Sequence, residues 1–216
     1  MAVTLPPVHA LVLAGAGSGK TRVIVHRVSY LLELGVDPSD ILLLTFTRKA
    51  AKEMLDRVQE LLGDARVGKV MGGTFHSFAN HILRKYSNLL GLPPNFTILD
   101  TGDSEDTIDL LRSEMKLDKT DKAFPKKNRI YEIISSARNR NKSVREIIQT
   151  DFSGLLKYAR DIEMLFDGYT RYKKITGTFD YDDLMEILRN ALRDNIPFRK
   201  KMQQEYRYIM VDEFQD

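Results

Sequence analysis

Apolar positions along this chain alternate between short continuous runs and stripes of helical period. Ala10 to Leu13 and Ile41-Leu42-Leu43-Leu44 are continuous runs, the pattern of parallel strands buried on both faces. Between them Ile24, Val28, Leu31 and Leu32 recur at i, i+4, i+7 and i+8, which predicts a helix from about Gly19 to Leu34 with Gly35 as its stop. A second stripe, Ala51, Met54, Leu55, Val58, Leu61 and Leu62, is closed by Gly63. The run Val70 to His76 then leads into a helix through Ala79, Ile82, Leu83 and Tyr86. Strand followed by helix, three times over, predicts an α/β fold with a parallel sheet and right-handed crossovers. Ligands of such a sheet sit at the carboxyl ends of its strands.

The pattern changes near Gly91-Leu92-Pro93-Pro94. After one short strand candidate, Phe96 to Leu99, the periodicity is helical. Ile108, Leu111 and Met115 mark one helix, and Ile130, Ile133, Ile134 and Ala137 a second. Leu155, Ala159, Ile162, Phe166 and Tyr169 mark a third, and Leu184, Ile187, Leu188 and Ala191 a fourth. The sheet returns with the β-prone run Tyr208-Ile209-Met210-Val211. The expected organisation is therefore a sheet domain of residues 1–90 and 197–216, interrupted by a mostly α-helical insertion at 91–196.

Composition narrows the class. The chain has 216 residues, 43% of them hydrophobic, enough for a globular core. It has no cysteine, which excludes a disulfide scaffold and a Cys-based zinc site, and its four histidines lack metal-ligand spacing. No apolar run approaches the roughly 20 residues that span a bilayer, and the first residues, with Pro6 and Pro7, do not read as a secretion signal. A soluble cytoplasmic protein with no membrane partner is expected. The net charge of +3 is a weak pointer to nucleic acid; where the charge sits matters more.

The chemistry concentrates in Ala14-Gly15-Ala16-Gly17-Ser18-Gly19-Lys20-Thr21. Glycines let a backbone curl round an anion with its N–H groups inward, and the helix that follows adds its positive end. Lys20 supplies a charge to the β- and γ-phosphates, and the Thr21 hydroxyl a ligand to Mg²⁺. The usual pattern opens with glycine, where this chain has Ala14. Downstream, an apolar strand ends in Asp212-Glu213, the second half of an ATPase site: the Asp for Mg²⁺, the Glu to orient and deprotonate water.

Four segments in order, Ala14 to Thr21, Leu44-Thr45-Phe46-Thr47-Arg48-Lys49-Ala50-Ala51-Lys52-Glu53-Met54, Gly73-Thr74-Phe75-His76-Ser77 and Val211 to Asp216, resemble the UvrD/Rep/PcrA type of superfamily 1 DNA helicase. The segment Phe179 to Leu184 also looks like an acidic-aromatic stretch of these helicases. The resemblance implies a RecA-like subdomain 1A with a helical subdomain 1B inserted, ATP and Mg²⁺ as cofactors, and single-stranded DNA and the single-strand/duplex junction as partners. It implies Gly15 to Thr21 for the triphosphate, Arg22 near the adenine, Thr21 and Asp212 for the metal, and Lys20, Glu213 and Gln215 in catalysis, Gln215 linking the γ-phosphate site to DNA. It implies Thr45, Phe46, Thr47 and Arg48, with Thr74, Phe75 and His76, along the single-strand path. Read from the residues alone, Phe46 and Phe75 also suit core aromatics at strand ends.

In the insertion, basic residues cluster from Lys119 to Arg145, among them Lys126, Lys127, Arg138 and Arg140. A solvated helix face and a sequence-independent phosphate track both fit them. Asp180, Asp182 and Asp183 read as a helix N-cap and first turn. The family's adenine-reading glutamine has no counterpart before Ala14. The family also continues past the residues matched by Asp216 with another sheet strand, a second RecA-like domain (2A, with 2B) and further arginines. The expectation is an N-terminal portion of a 3′-to-5′ helicase with little ATPase and no unwinding of its own. A helicase subunit of a RecB/AddA-like helicase–nuclease fits the same motifs.

Overall fold

The computed structural model describes residues 2–15, 17–117 and 121–214. The chain divides into two compact units, Met1–Lys85 with Leu188–Asp216, and Tyr86–Ile187.

The first unit holds a parallel sheet of three strands in the order β2-β1-β5: β1 Ile41–Thr45, β2 Met71–Thr74 and β5 Tyr208–Val211. The register sets Thr45 opposite Thr74 and Leu44 opposite Val211, so the three carboxyl ends lie side by side. Every residue of β1 is buried, as its uninterrupted apolar run requires. Helix α1 spans Lys20–Glu33 and α2 Arg48–Leu62. Their apolar stripes meet Ile41 and Leu43 in one core built of Val25, Val28, Leu31, Met54 and Val58. Helix α2 ends at Gly63, whose φ of 61° places it in the left-handed region that glycine enters without penalty. Helix α3, Phe75–Lys85, starts directly at the end of β2, so Phe75 and His76 lie in a helical first turn, not in the strand.

The predicted strand at Ala10 to Leu13 does not form. Strand β1 is already paired on both sides, and among the described residues the run bonds neither to β2 nor to β5, so it lies outside the sheet with Leu13 85% exposed. Apolar sequence sets which faces a strand would bury, but a strand also needs a neighbour's N–H and C=O groups.

The second unit begins with the one-turn helix α4, Ser87–Leu90. Its core is helical: α5 Thr101–Glu114, α6 Lys127–Asn139, α7 Val144–Asp151 and α8 Ala159–Thr176 close around Ile108, Ile130, Ile133, Ile147, Ile162 and Tyr169. A two-residue parallel pair, β3 Thr97–Ile98 and β4 Thr178–Phe179, ties its ends. Helix α9, Tyr181–Asp194, carries the chain out of this unit, and α10, Ile196–Glu205, precedes β5. Helices α7 and α10 have no counterpart in the sequence reading. Both carry start signals: a reciprocal capping box between Ser143 and Glu146, and an Asn195 cap with Pro197 in the first turn.

Candidate nucleotide and single-strand site

The glycine-rich loop bends as its composition demands. Gly17 and Gly19 have φ of 75° and 89°, open to glycine and strained for other residues. Ser18 closes the turn, donating from its N–H (3.3 Å) and its Oγ (2.6 Å) to the Gly15 carbonyl. Gly19 caps α1, so Lys20 and Thr21 occupy the helix's first turn, where free N–H groups and the dipole favour an anion. Ala16 lies outside the described residues.

Lys20 points back at the sheet. Its Nζ stands 3.5 Å from Glu213 Oε2, which follows β5. Asp212 is held by its N–H, which donates to the Leu44 carbonyl at 2.9 Å and extends the β1–β5 ladder past Val211. The Asp212 residue is only 8% exposed, and its carboxylate has no partner among the described residues. Glu213 turns away from the strand at φ 51°, a left-handed conformation that costs a non-glycine residue about 1 kcal/mol. A buried, unpaired carboxylate one residue before the acid that meets Lys20 suits Mg²⁺, which takes one or two carboxylates together with substrate phosphates and needs no all-protein cage. Gln215 lies outside the described residues. Arg22 folds along α1, its Nε 3.4 Å from His26 Nε2.

The same rim carries the two middle motifs. Thr45 is buried at the end of β1, and Phe46, directly after it, is 66% exposed. An aromatic ring at a strand end with most of its surface in water is not a core residue. Thr47 caps α2, its Oγ1 accepting from Ala50 N–H at 3.1 Å, and Arg48 opens that helix in solvent. Thr74 plays the equivalent part for α3: its Oγ1 accepts from Ser77 N–H at 3.2 Å, while Ser77 Oγ donates to the Thr74 carbonyl at 2.8 Å. Phe75 is half-buried and His76 exposed. The loop, Thr45 to Arg48, Thr74 to His76 and Asp212-Glu213 therefore share one edge of one sheet.

The basic residues of the second unit depart from expectation. Arg138 does not face solvent. Its guanidinium, 12% exposed, ion-pairs with Asp180 at 3.3 Å, with Glu186 at 2.8 Å and with Asp183. The apolar stripe of α6 predicted its position on the helix, but not that three acids from the start of α9 would enclose it. Lys173 completes the cluster, buried on α8 and 2.5 Å from both Asp180 and Asp183. It stands one turn after Tyr169 on that helix's buried stripe, a position where a lysine needs partners, and this was the available signal. Burial opposes charge on Asp180, yet Lys173 and Arg138 outweigh it and hold the carboxyl below its usual range. Burial also pushes the Tyr131 phenol up to about 12, with the charges of Asp182 and Asp180 adding to it. The helix start itself is as expected: Asp180 Oδ1 accepts from Asp183 N–H at 2.8 Å, and Asp183 Oδ2 from Asp180 N–H at 2.9 Å. Elsewhere Lys127 pairs with Asp106 and Arg140 with Asp151 at 2.5 Å, whereas Lys126 is exposed at the start of α6 without an ion pair among the described residues.

The family described as UvrD/REP helicase N-terminal domain matches residues 1–216. The chain is 37% identical over 210 residues to the ATP-dependent DNA helicase PcrA of Staphylococcus aureus, covering 95% of this chain and 27% of that protein. It is 38% identical over 211 residues to the ATP-dependent DNA helicase PcrA of Staphylococcus epidermidis, with the same coverage. The chain thus spans about a quarter of the length of these relatives. With a phosphate loop, an Asp-Glu pair and two rim motifs set along one parallel sheet, and a family match from its first residue to its last, this chain belongs to the UvrD/Rep helicase family and carries its N-terminal domain.

Proposed function

We propose that this chain is the ATP-binding, single-strand-contacting portion of an ATP-dependent DNA helicase that moves 3′ to 5′. The observation that carries the reading is the meeting of Lys20 and Glu213 at 3.5 Å on the rim where Phe46 stands exposed. One sheet edge then offers both a triphosphate cradle and an aromatic face for a base, the two contacts a DNA motor has to couple.

In this reading the N–H groups of Gly15 to Thr21 and the Lys20 ammonium hold the β- and γ-phosphates. Thr21 and Asp212 would hold Mg²⁺, which when bound would supply charge to neutralise the phosphoryl oxygens. Glu213 orients the attacking water and accepts its proton, and a γ-phosphate on Lys20 takes over that cation from Glu213. Gln215 links the phosphate site to the strand, and Arg22 flanks the base. Phe46 stacks on a DNA base, a contact worth about 1–3 kcal/mol, while Thr45, Thr47, Arg48, Thr74, Phe75 and His76 line the strand's path. Lys126, Lys127 and Arg140 touch duplex phosphates at the junction. Arg138 has no part, because its charge is consumed inside the fold.

Among the described residues, strand β5 bonds on one side only and the run at Ala10 to Leu13 lies exposed beside no strand. The rest of the helicase is inferred to supply the missing neighbour, and also the arginines that raise hydrolysis, a contribution of 10³–10⁵ in related phosphoryl transfers. The 216-residue chain alone therefore hydrolyses ATP slowly and unwinds nothing. The test is binding of labelled oligo(dT) and of Mg-ATP to this chain. Phe46→Ala is expected to weaken oligo(dT) binding roughly tenfold and leave nucleotide binding intact, with Lys20→Ala doing the reverse. A chain that binds neither ligand, or binds ATP without Lys20, overturns the reading.

A further inference from the structure

Along the flank of α2 runs an open groove of about 490 Å³, at the β2 edge of the sheet. Arg48, Lys52, Asp56 and Gln59 line its helical wall one turn after another, and Gly72 and Ser77 belong to the opposite wall. The walls are close: a Cβ on Gly72 would come 2.6 Å from Leu55 Cδ1. Arg48 and Ser77 belong to the rim motifs, so one end of the groove opens where the proposed strand path lies.

The charges along it are ordered. Arg48 and Lys52 are exposed, and neither joins an ion pair among the described residues. Their neighbours Lys49 and Glu53 pair with each other at 3.9 Å, which leaves the two groove cations uncompensated. Four residues apart on a helix, they lie about 5–6 Å apart at Cβ, the scale of neighbouring phosphates on a strand. Arg48 opens α2, where the helix dipole adds to its charge, and Lys52 follows one turn later. One turn further, Asp56 reverses the sign.

We propose that this groove takes two consecutive phosphates of a single DNA strand leaving the rim, with Arg48 and Lys52 as their counter-charges and Asp56 ending the track. The inference rests on the rim being the single-strand site. Charge order selects the occupant: a polyanion with regularly spaced charges matches two cations followed by a barrier, and Gln59 beyond it adds no charge.

The experiment is a salt titration of oligo(dT) binding to the 216-residue chain, read by fluorescence anisotropy. Each phosphate contact to a single strand contributes about 0.7 to the slope of log affinity against log salt. The double substitution Arg48→Ala/Lys52→Ala is expected to make the slope shallower by about 1.4, and Asp56→Lys to steepen it by about 0.7. Lys49→Ala, on the same helix outside the groove, is expected to leave the slope unchanged; a loss equal to that per groove cation would assign the effect to general surface charge and overturn the proposal. If Phe46→Ala weakens binding while the double variant keeps the wild-type slope, the rim reading stands and the groove is not a strand site. An unchanged slope for Asp56→Lys overturns the barrier. Competition by oligo-glutamate as effective as by oligo(dT) of equal charge identifies an acidic peptide as the occupant. If the wild-type chain does not bind oligo(dT) at all, the rim reading falls and the groove with it.

Discussion

Lys20 Nζ faces Glu213 Oε2 across 3.5 Å, so the loop cation meets the acid that would activate water. Both side chains are about a third exposed, which limits the pair to about 0–1 kcal/mol. A triphosphate displaces so weak a contact readily. Glu213→Gln removes the competitor, and Mg-ATP is expected to bind equally well or up to about fivefold more tightly by calorimetry. In the full-length protein the same substitution abolishes turnover, because the amide cannot accept the proton. Lys20→Ala is expected to abolish turnover there as well; near-normal hydrolysis by either variant rules out the assigned roles.

Gly72 and Leu55 test how tightly β2 and α2 are set. A methyl at Gly72 would press into the Leu55 side chain at 2.6 Å. The contact is with the far end of a flexible chain, so Leu55 can shift, at a cost of about 1–3 kcal/mol for overpacking. Gly72→Ala is expected to lower stability by that amount in urea denaturation. In a Leu55→Ala background the same substitution is expected to cost less than 1 kcal/mol, a coupling typical of side chains in direct contact. Equal costs in both backgrounds would mean that the two residues do not meet.

How much of this was legible in the sequence depends on whether a feature is local. The glycine loop, the α2 stripe with its Gly63 stop and the Asp180–Asp183 helix start are settled within a few residues, and each stands where its pattern placed it. Ala10 to Leu13 reads as a strand by its own composition, but pairing is a property of two segments, and among the described residues the run bonds to no strand although one side of β5 is open. Arg138 failed for the same reason. Its helix face was readable, whereas Asp180, Asp183 and Glu186, 42 to 48 residues away, were not assignable as partners. Strand β3 falls inside the strand candidate Phe96 to Leu99, whereas its two-residue partner β4 is too short for any periodicity.

Among the described residues, β5 has a strand on one side only. Ile209 is 58% exposed on that strand, and Leu11, Val12 and Leu13 are exposed as well. Strand edges with apolar side chains invite pairing with another chain. The 216-residue chain is expected to self-associate as its concentration rises, seen by analytical ultracentrifugation. Ile209→Lys is expected to weaken that association about tenfold, since a charge replaces a side chain whose burial is worth about 1.5–3 kcal/mol. A chain that stays monomeric at high concentration would show that this surface is protected in another way.

The buried cluster around Asp180 predicts an acid transition. Lys173 and Arg138 hold the Asp180 carboxyl below its usual range despite its burial, whereas in the unfolded chain it returns to about 3.9. The folded state therefore binds fewer protons than the unfolded one between those two values. The stabilisation is complete above about pH 4 and is lost as pH falls through the lower, folded value. Asp180→Asn removes the charge and leaves Lys173, deep in the core, with Asp183 alone. Removing one partner of a buried pair costs about 3–5 kcal/mol, and the remaining Asp183 contact puts the expected loss at the lower end. Urea denaturation followed by a probe in the helical unit should show that loss at pH 7. The gap between wild type and variant should narrow well below pH 4, as the wild-type carboxyl takes up its proton. A gap that stays constant from neutral to strongly acid pH would mean that Asp180 is not ionised in the folded protein, and the cluster would then have to be held by hydrogen bonds without its central charge.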